Sequence, residues 1–426
     1  MVCLEETWIQ WRMVMSKTPS GPEDLKEFEQ DSWWEAVRAQ LNADTQWTEA
    51  AKYFPARIEF RSDHTSWTVD TRDGHAISVR PGPHPQGADI TVVAPDEEWR
   101  RVIDGQTDWF EGTSPGLGRI TVEGDGISAM RNVKAMWRLL SALSTAGKPA
   151  AQPGPYSPDP ETGRHTALTG RYIEVNGLRT YYEEAGEGVP IVCIHAAGQD
   201  TLMYRHVLEG LSDQFRVISL DAPGHGKTLE PDDGAFRDIS DHADFNEAFI
   251  EALGLENPAI VGCSMGGNMV LELASRRPDF YRAVISAEGS DYTPTVSDTL
   301  LEMLLLNGAQ ILEGWSRSMT GHRTPPDRSR EVVWQLRRVC PEVIAADLTG
   351  YAGFDRRDQV SRIESPVLLL RGDADWLVPQ GMVEQVASRI PGSRIAVLEG
   401  TGHYPMIENP VEFNRAVRDF VKETLR

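Results

Sequence analysis

The residues able to do covalent chemistry lie in the second half of the chain. Gly262-Cys263-Ser264-Met265-Gly266-Gly267 carries the spacing Gly-x-Ser-x-Gly. Ala259-Ile260-Val261 before it favours a strand, and Asn268–Arg276 after it favours a helix. A strand-to-helix elbow holds a serine in a strained backbone conformation with its hydroxyl exposed, and flanking glycines relieve the crowding. The same spacing recurs at Gly112-Thr113-Ser114-Pro115-Gly116, with no apolar strand before it and no helix formers after it; a surface loop is expected there. A serine hydroxyl is a weak nucleophile near neutral pH and needs a base, which in turn needs an orienting acid. Both lie downstream. Val367–Arg371 favours a strand and leads into Gly372-Asp373-Ala374-Asp375, where two acids compete for the role. Ile395–Leu398 favours another strand and leads to Gly402-His403-Tyr404-Pro405. Both loops follow the carboxyl ends of strands, where open α/β sheets bind ligands. A fourth stretch, His195-Ala196-Ala197-Gly198-Gln199, follows the strand Ile191–Ile194. Its small residues leave backbone N–H groups open to an oxyanion, with a second donor expected from Met265, the residue after the nucleophile. His195 itself is expected to bond the loop backbone rather than to act as a base.

These residues need a scaffold that brings strand ends together. Val189–His195, Val217–Leu220, Ala259–Gly262, Ala283–Ala287 and Val367–Arg371 are short apolar runs, consistent with strands buried on both faces. Helical patterns separate most of them, which predicts a doubly wound, mostly parallel α/β sheet. Tyr172–Val175 and Arg179–Glu184 flank Asn176-Gly177 and predict a hairpin leading into it. Between Ala287 and Val367, helical patterns at Leu300–Leu306 and Val332–Val339 form an insertion at about 291–360.

The first 150 residues differ in kind and hold nine of the twelve tryptophans. Residues 31–52 have helical spacing, with Trp34, Val37, Leu41 and Trp47 on the buried side. Short runs at 56–60, 66–70, 76–80, 90–93 and 119–123, with helices after Pro95 and over 126–144, predict a smaller α+β domain with one antiparallel sheet. Five prolines between Gly147 and Gly163 forbid regular structure. The expected organisation is therefore an α+β domain at 1–148, a linker at 149–165 and an α/β domain at 166–426.

From about residue 170 onward the chain resembles the α/β-hydrolase family of serine hydrolases. The resemblance rests on the His195 loop, Asp221-Ala222-Pro223-Gly224-His225-Gly226, the Ser264 elbow, the Gly372–Pro379 loop and Gly402-His403. It implies a Ser264–His403–Asp375 triad, with Asp375 preferred to Asp373 by its spacing from Gly372, and an oxyanion hole from Ala197 and Met265. It also implies that the insertion is a helical cap over the serine. Substrate-pocket candidates are Ala196, Met303, Trp315, Met319, Trp334, Trp376 and Tyr404. Glycine is usual in the family where this chain has Ala196. The N-terminal order of strands, then Asp108–Gly112, Gly118–Asp125 and a final helix, resembles sterol-carrier-protein-2-like domains. That implies a lipid tunnel; the alternative is that the tryptophans build a packing or dimer core.

The remaining composition narrows the function. A net charge of −22 argues against nucleic-acid and anionic-membrane partners. No apolar run is long enough to span a bilayer, and Met1–Met15 lacks the layout of a signal peptide. Four widely spaced cysteines favour neither disulfides nor zinc and point to the cytoplasm. Asp221–Thr228 ends like a phosphate loop, but Asp221 stands where the first glycine is required. The expectation is a serine esterase or lactonase without metal or cofactor, acting on a hydrophobic small molecule, with a homo-oligomer formed through the N-terminal domain. The alternatives are a carbon–carbon bond hydrolase of the same fold, which more often has Trp where Tyr404 stands, and a non-catalytic lipid-binding or scaffold protein.

Overall fold

The computed structural model describes residues 25–113, 118–146, 167–293, 296 and 298–425. The proline-rich linker and the loop at Ser114 lie outside them. The chain divides into two compact units, Met1–Ala151 and Gln152–Arg426.

In the first unit, α1 (Asp31–Ala43) and α2 (Thr45–Ala50) replace the single helix expected over 31–52. The break is at Asp44, which is extended and accepts the Gln46 N–H as the cap of α2. Strands β1 (Ala56–Arg61), β2 (Ser66–Arg72), β3 (His75–Pro81) and β4 (Ile90–Val93) come next, then α3 (Asp96–Ile103), α4 (Trp109–Thr113) and β5 (Thr121–Gly124). The last helical stretch is broken at Asn132 into α5 (Gly126–Arg131) and α6 (Val133–Thr145). The sheet order is β3-β2-β1-β4-β5. It is mixed rather than antiparallel as expected, because β4 pairs parallel with β1. Residues 82–89 carry the chain from the end of β3 past β2 to the far side of β1, so β4 runs in the direction of β1. Trp34, Trp47, Trp99 and Trp109 are fully buried. Trp34 stacks on Trp67 at 5.0 Å and also meets Phe28 and Phe60. Six of the seven described tryptophans of this unit are thus part of its core, and Trp33 is half-buried.

The second unit begins with a hairpin, β6 (Thr169–Val175) and β7 (Leu178–Ala185), turning through Asn176-Gly177 with φ positive at both residues, as a tight hairpin turn requires. Next come β8 (Pro190–Ile194), α7 (Arg205–Leu211), β9 (Arg216–Leu220), α8 (Ile239–Ala252), β10 (Ala259–Cys263), α9 (Met265–Arg276) and β11 (Ala283–Ala287). Three helices fill the insertion: α10 (Asp298–Ser318), α11 (Pro326–Leu336) and α12 (Pro341–Tyr351). The chain then returns through β12 (Val367–Gly372), α13 (Gln380–Arg389), β13 (Arg394–Leu398), α14 (Pro405–Glu408) and α15 (Pro410–Glu423). The sheet order is β13-β12-β11-β10-β8-β9-β7-β6, parallel from β13 to β9. β10, β11 and β12 are buried along their whole length, which explains their unbroken apolar runs. β13 is an edge strand with Ile395 and Val397 partly in solvent.

Candidate active site

β10 ends at Cys263 and α9 starts at Met265, so Ser264 is the whole turn between them. Its backbone sits at φ 54°, ψ −118°, a strained region for a residue with a side chain. The strain is held from both sides. Ser264 N–H bonds Ala287 O on β11 at 2.9 Å, and Ser264 O accepts Asn268 N–H at 3.0 Å. The two flanking glycines are steric necessities. A Cβ on Gly262 would stand 1.9 Å from Gly266 O, and one on Gly266 would stand 2.2 Å from Ile194 O.

His403 and Asp375 meet at the same sheet edge, past β13 and β12. His403 Nδ1 lies 2.8 Å from Asp375 Oδ2, with the Asp375 side chain fully buried. Asp375 Oδ1 accepts Leu377 N–H at 2.9 Å. Burial opposes the charged carboxylate, but the His403 charge and hydrogen bond outweigh it, and Asp375 stays below the usual carboxylate range. Asp373, the competing acid, is exposed and accepts Gly400 N–H. His403 is tied to the elbow through its carbonyl, which accepts the Cys263 thiol at 3.4 Å, and its own N–H bonds Met319 O at 2.8 Å. Its ring packs edge-on against buried Tyr404 at 5.1 Å.

The loop after β8 is held by hydrogen bonds on both sides of Ala197. Ala196 O accepts Gln199 N–H at 3.0 Å and faces His195 Nδ1 at 2.8 Å. Gly198 N–H bonds Asp347 Oδ2 at 2.7 Å. Among the described residues, the N–H groups of Ala197 and Met265 have no protein acceptor. Met265 is the first residue of α9, where the helix itself leaves N–H groups unpaired. His195 also accepts Ala222 N–H through Nε2 at 3.0 Å. Burial first, and the neighbouring His225 second, pull its pKa down to about 3, so the ring is neutral and structural. In the phosphate-loop mimic, the Asp221 carboxylate takes the N–H groups of Lys227 (2.7 Å) and Thr201 (2.8 Å), leaving no cradle there for an anion.

Of the pocket candidates, Met319 and Tyr404 are buried beside His403, and Ala196 is buried in the loop after β8. Met303 and Trp315 are half-buried on α10, and Trp376 is half-buried with its indole N–H bonded to Ser318 O at 3.1 Å. Trp334 departs from expectation. It is 55% exposed on α11, with the Arg338 guanidinium 5.0 Å from its ring, and stands on the surface rather than in a buried wall.

Three residues at this site escaped sequence reasoning. Tyr351, the last residue of α12, lies close enough to Thr293 and Ser264 for both side chains to act on its phenol. Ser264 makes no hydrogen bond to His403 among the described residues. Asp347, on the same helix, is the acceptor for Gly198 N–H. Glu288 follows β11 at φ 45° and is fully buried. Its Oε1 accepts Gly372 N–H, its Oε2 has no donor among the described residues, and its side chain meets the Asp375 carboxylate. Two acceptors can bond there only by sharing a proton. Burial, and next the Asp375 charge, push the Glu288 carboxyl well above its usual range, so Glu288 is the one that keeps the proton. An acid directly after the apolar run 283–287 was the available signal for Glu288. Nothing in the cap sequence marks Asp347 or Tyr351.

The model of the alpha/beta hydrolase family matches residues 191–416. The chain belongs to that family. Among its relatives, a pimeloyl-[acyl-carrier protein] methyl ester esterase of Aliivibrio salmonicida is 26% identical over 261 residues, covering 57% of this chain and 95% of the relative. A 2-(acetamidomethylene)succinate hydrolase of Mesorhizobium japonicum is 24% identical, covering 59% of this chain and 94% of the relative. Solved structures with the same fold include a bromoperoxidase from Bacillus anthracis, with TM-score 0.55 and 22% identity, covering 60% of this chain and all of that one. An enol-lactonase from Burkholderia xenovorans has TM-score 0.54 and 23% identity, covering 59% of this alpha/beta hydrolase and all of that chain. No group of three or more His, Cys, Asp or Glu among the described residues is placed to hold a metal ion. No described helix is long and apolar enough to cross a membrane.

Proposed function

We propose that the second unit is a serine hydrolase that cleaves a carboxylic ester or lactone of a hydrophobic small molecule without a cofactor. The observation that carries this reading is the buried His403–Asp375 pair, 2.8 Å apart, at the same sheet edge as a serine held at positive φ. Ser264 Oγ attacks the carbonyl carbon, and His403 Nε2 takes its proton and returns it to the leaving oxygen. Asp375 fixes the proton on Nδ1 and stabilises the imidazolium, with protonated Glu288 behind it. The unpaired N–H groups of Ala197 and Met265 receive the oxyanion, a contribution of about 3–4 kcal/mol per donor. Water then enters, His403 removes its proton, and the acyl-serine is cleaved.

The ester reading has support from the relative named as a methyl ester esterase and from the apolar side chains of the cap. Carbon–carbon cleavage ranks second, since Tyr404 follows the histidine. Purified protein assayed on p-nitrophenyl esters, lactones and vinylogous diketones separates the readings. Ester turnover that vanishes in Ser264→Ala supports ours. Turnover of diketones alone would replace it. For the N-terminal unit, lipid binding and assembly both remain proposals. Light scattering of the intact chain and of one starting near residue 166 tests assembly, and a truncation that raises KM only for long-chain esters would favour lipid capture.

A further inference from the structure

Helix α12 of the cap (Pro341–Tyr351) buries a carboxylate that the triad does not use. Asp347 is 2% exposed. A buried carboxylate persists only with compensating donors, and Asp347 collects two hydrogen bonds, with the His242 ring beside it. Oδ2 takes Gly198 N–H at 2.7 Å and His225 Nε2 at 2.8 Å; Oδ1 lies 3.6 Å from His242 Nε2 on α8. The other ring nitrogen of His225, Nδ1, faces Pro223 O at 2.9 Å. Both nitrogens of His225 face acceptors, so both carry protons and the ring is an imidazolium paired with Asp347. Burial works against that charge, and the Asp347 carboxylate outweighs it. His225 in turn packs on His195 of the oxyanion loop, with ring centroids 4.7 Å apart.

The placement of this pair matters because of what lies next to it. Ala196-Ala197-Gly198 has almost no side chain to pack, so hydrogen bonds must set its path. Ala196 O is held on one side of Ala197, and Gly198 N–H is held on the other by Asp347. Of the N–H groups of these three residues, that of Ala197 alone is without an acceptor among the described residues. We propose that Asp347 is a positioning residue for the oxyanion hole: by anchoring Gly198 N–H to the cap, it aims the preceding Ala197 N–H at the carbonyl oxygen. This rests on the reading of Ala197 as an oxyanion donor. It makes the cap a working part of the catalytic centre, so the hole is assembled only with α12 seated. The same helix ends at Tyr351, whose phenol lies near Ser264.

The test uses the full chain with p-nitrophenyl butyrate and, as a probe of the tetrahedral state, an alkyl trifluoromethyl ketone that adds to the serine. Wild-type labelling at Ser264 by a fluorophosphonate is checked first; its absence would end the hydrolase reading and say nothing of Asp347. Asp347→Ala is expected to lower kcat about 100-fold, the size of losing one oxyanion donor. KM should stay within about threefold and ketone affinity should fall in step with kcat. Asp347→Asn keeps an oxygen at the Oδ2 position for Gly198 N–H and His225 Nε2 and places its amide on the His242 side, so it should recover to within about tenfold of wild type. If Asp347→Ala does not fold, Gly198→Ala decides. Its methyl would stand 2.8 Å from Val339 Cγ1 and 3.0 Å from Ile344 Cδ1, displacing the loop while Asp347 remains. A fall in kcat at constant KM supports the proposal. Wild-type kcat in Asp347→Ala or in Gly198→Ala, or a loss confined to KM with ketone affinity unchanged, overturns it.

Discussion

Replacing Asp375 by Asn removes one charge and almost no volume, and the neighbouring donors dictate how the new amide must sit. Leu377 N–H needs an acceptor at the Oδ1 position, so the amide oxygen goes there and the amide NH2 faces His403 Nδ1. His403 must then accept at Nδ1 and carry its proton on Nε2, the tautomer unable to take a proton from Ser264. The expected loss in kcat is about 10⁴-fold, equivalent to about 5 kcal/mol of activation free energy. Asp373→Asn makes a useful control. That side chain is exposed and Asn can still accept Gly400 N–H, so kcat should stay within about threefold. Hydrolysis of p-nitrophenyl butyrate, with thermal melts to show that both variants fold, measures the contrast. Equal losses at the two positions, or a severe loss at 373 alone, would refute the assignment of Asp375.

Three further outcomes are expected from the same geometry. Glu288→Gln can still accept Gly372 N–H and donate to Asp375, so its kcat should lie within about threefold of wild type, while Glu288→Leu should lose about 10–100-fold through one missing charge-assisted bond; equal damage from both would mean that Glu288 acts as a charged carboxylate. Tyr351→Phe should cost no more than about tenfold in kcat, the worth of one ordinary hydrogen bond, and a loss near that of Asp375→Asn would place the phenol among the essential groups. In the first unit, burial and then the nearby Glu111 charge raise Asp108 from 3.8 to about 7, against backbone bonds from Phe110 and Glu111. The folded form therefore holds a proton that the unfolded chain releases, and stability falls as pH rises from about 4 to about 7. Asp108→Asn should raise the melting temperature relative to wild type more at pH 7.5 than at pH 4.5, measured by calorimetry, and the opposite order would contradict the burial of that carboxyl.

How much of this was legible in the sequence depended on range. Ser264 could be placed because its signal is local: glycines at fixed offsets, an apolar strand before, a helix after. The parallel sheet was legible because β10, β11 and β12 are buried on both faces and read as unbroken apolar runs. Asp375 and Asp373 could not be separated by residue type, since only burial against His403 distinguishes them. Breaks at Asp44 and Asn132 were missed because helical periodicity continues across a single capping residue. The parallel β1–β4 pair was missed because strand direction depends on where residues 82–89 carry the chain, which composition does not encode. Asp347 and Tyr351 stayed hidden because they meet the site only through the fold of the cap, about 80 to 150 residues from their partners in sequence. Trp334 misled because an indole on a cap helix fits a pocket wall and an exposed face equally well.

The central claim is that Ser264 forms a covalent acyl intermediate activated by His403. Intact-protein and peptide mass spectrometry after treatment with a fluorophosphonate tests it most directly. One phosphonyl adduct should appear on the peptide containing Ser264, with loss of esterase activity in proportion to labelling, and His403→Ala should slow labelling by orders of magnitude. Esterase activity that persists in the fully labelled protein, or in Ser264→Ala, would contradict the account.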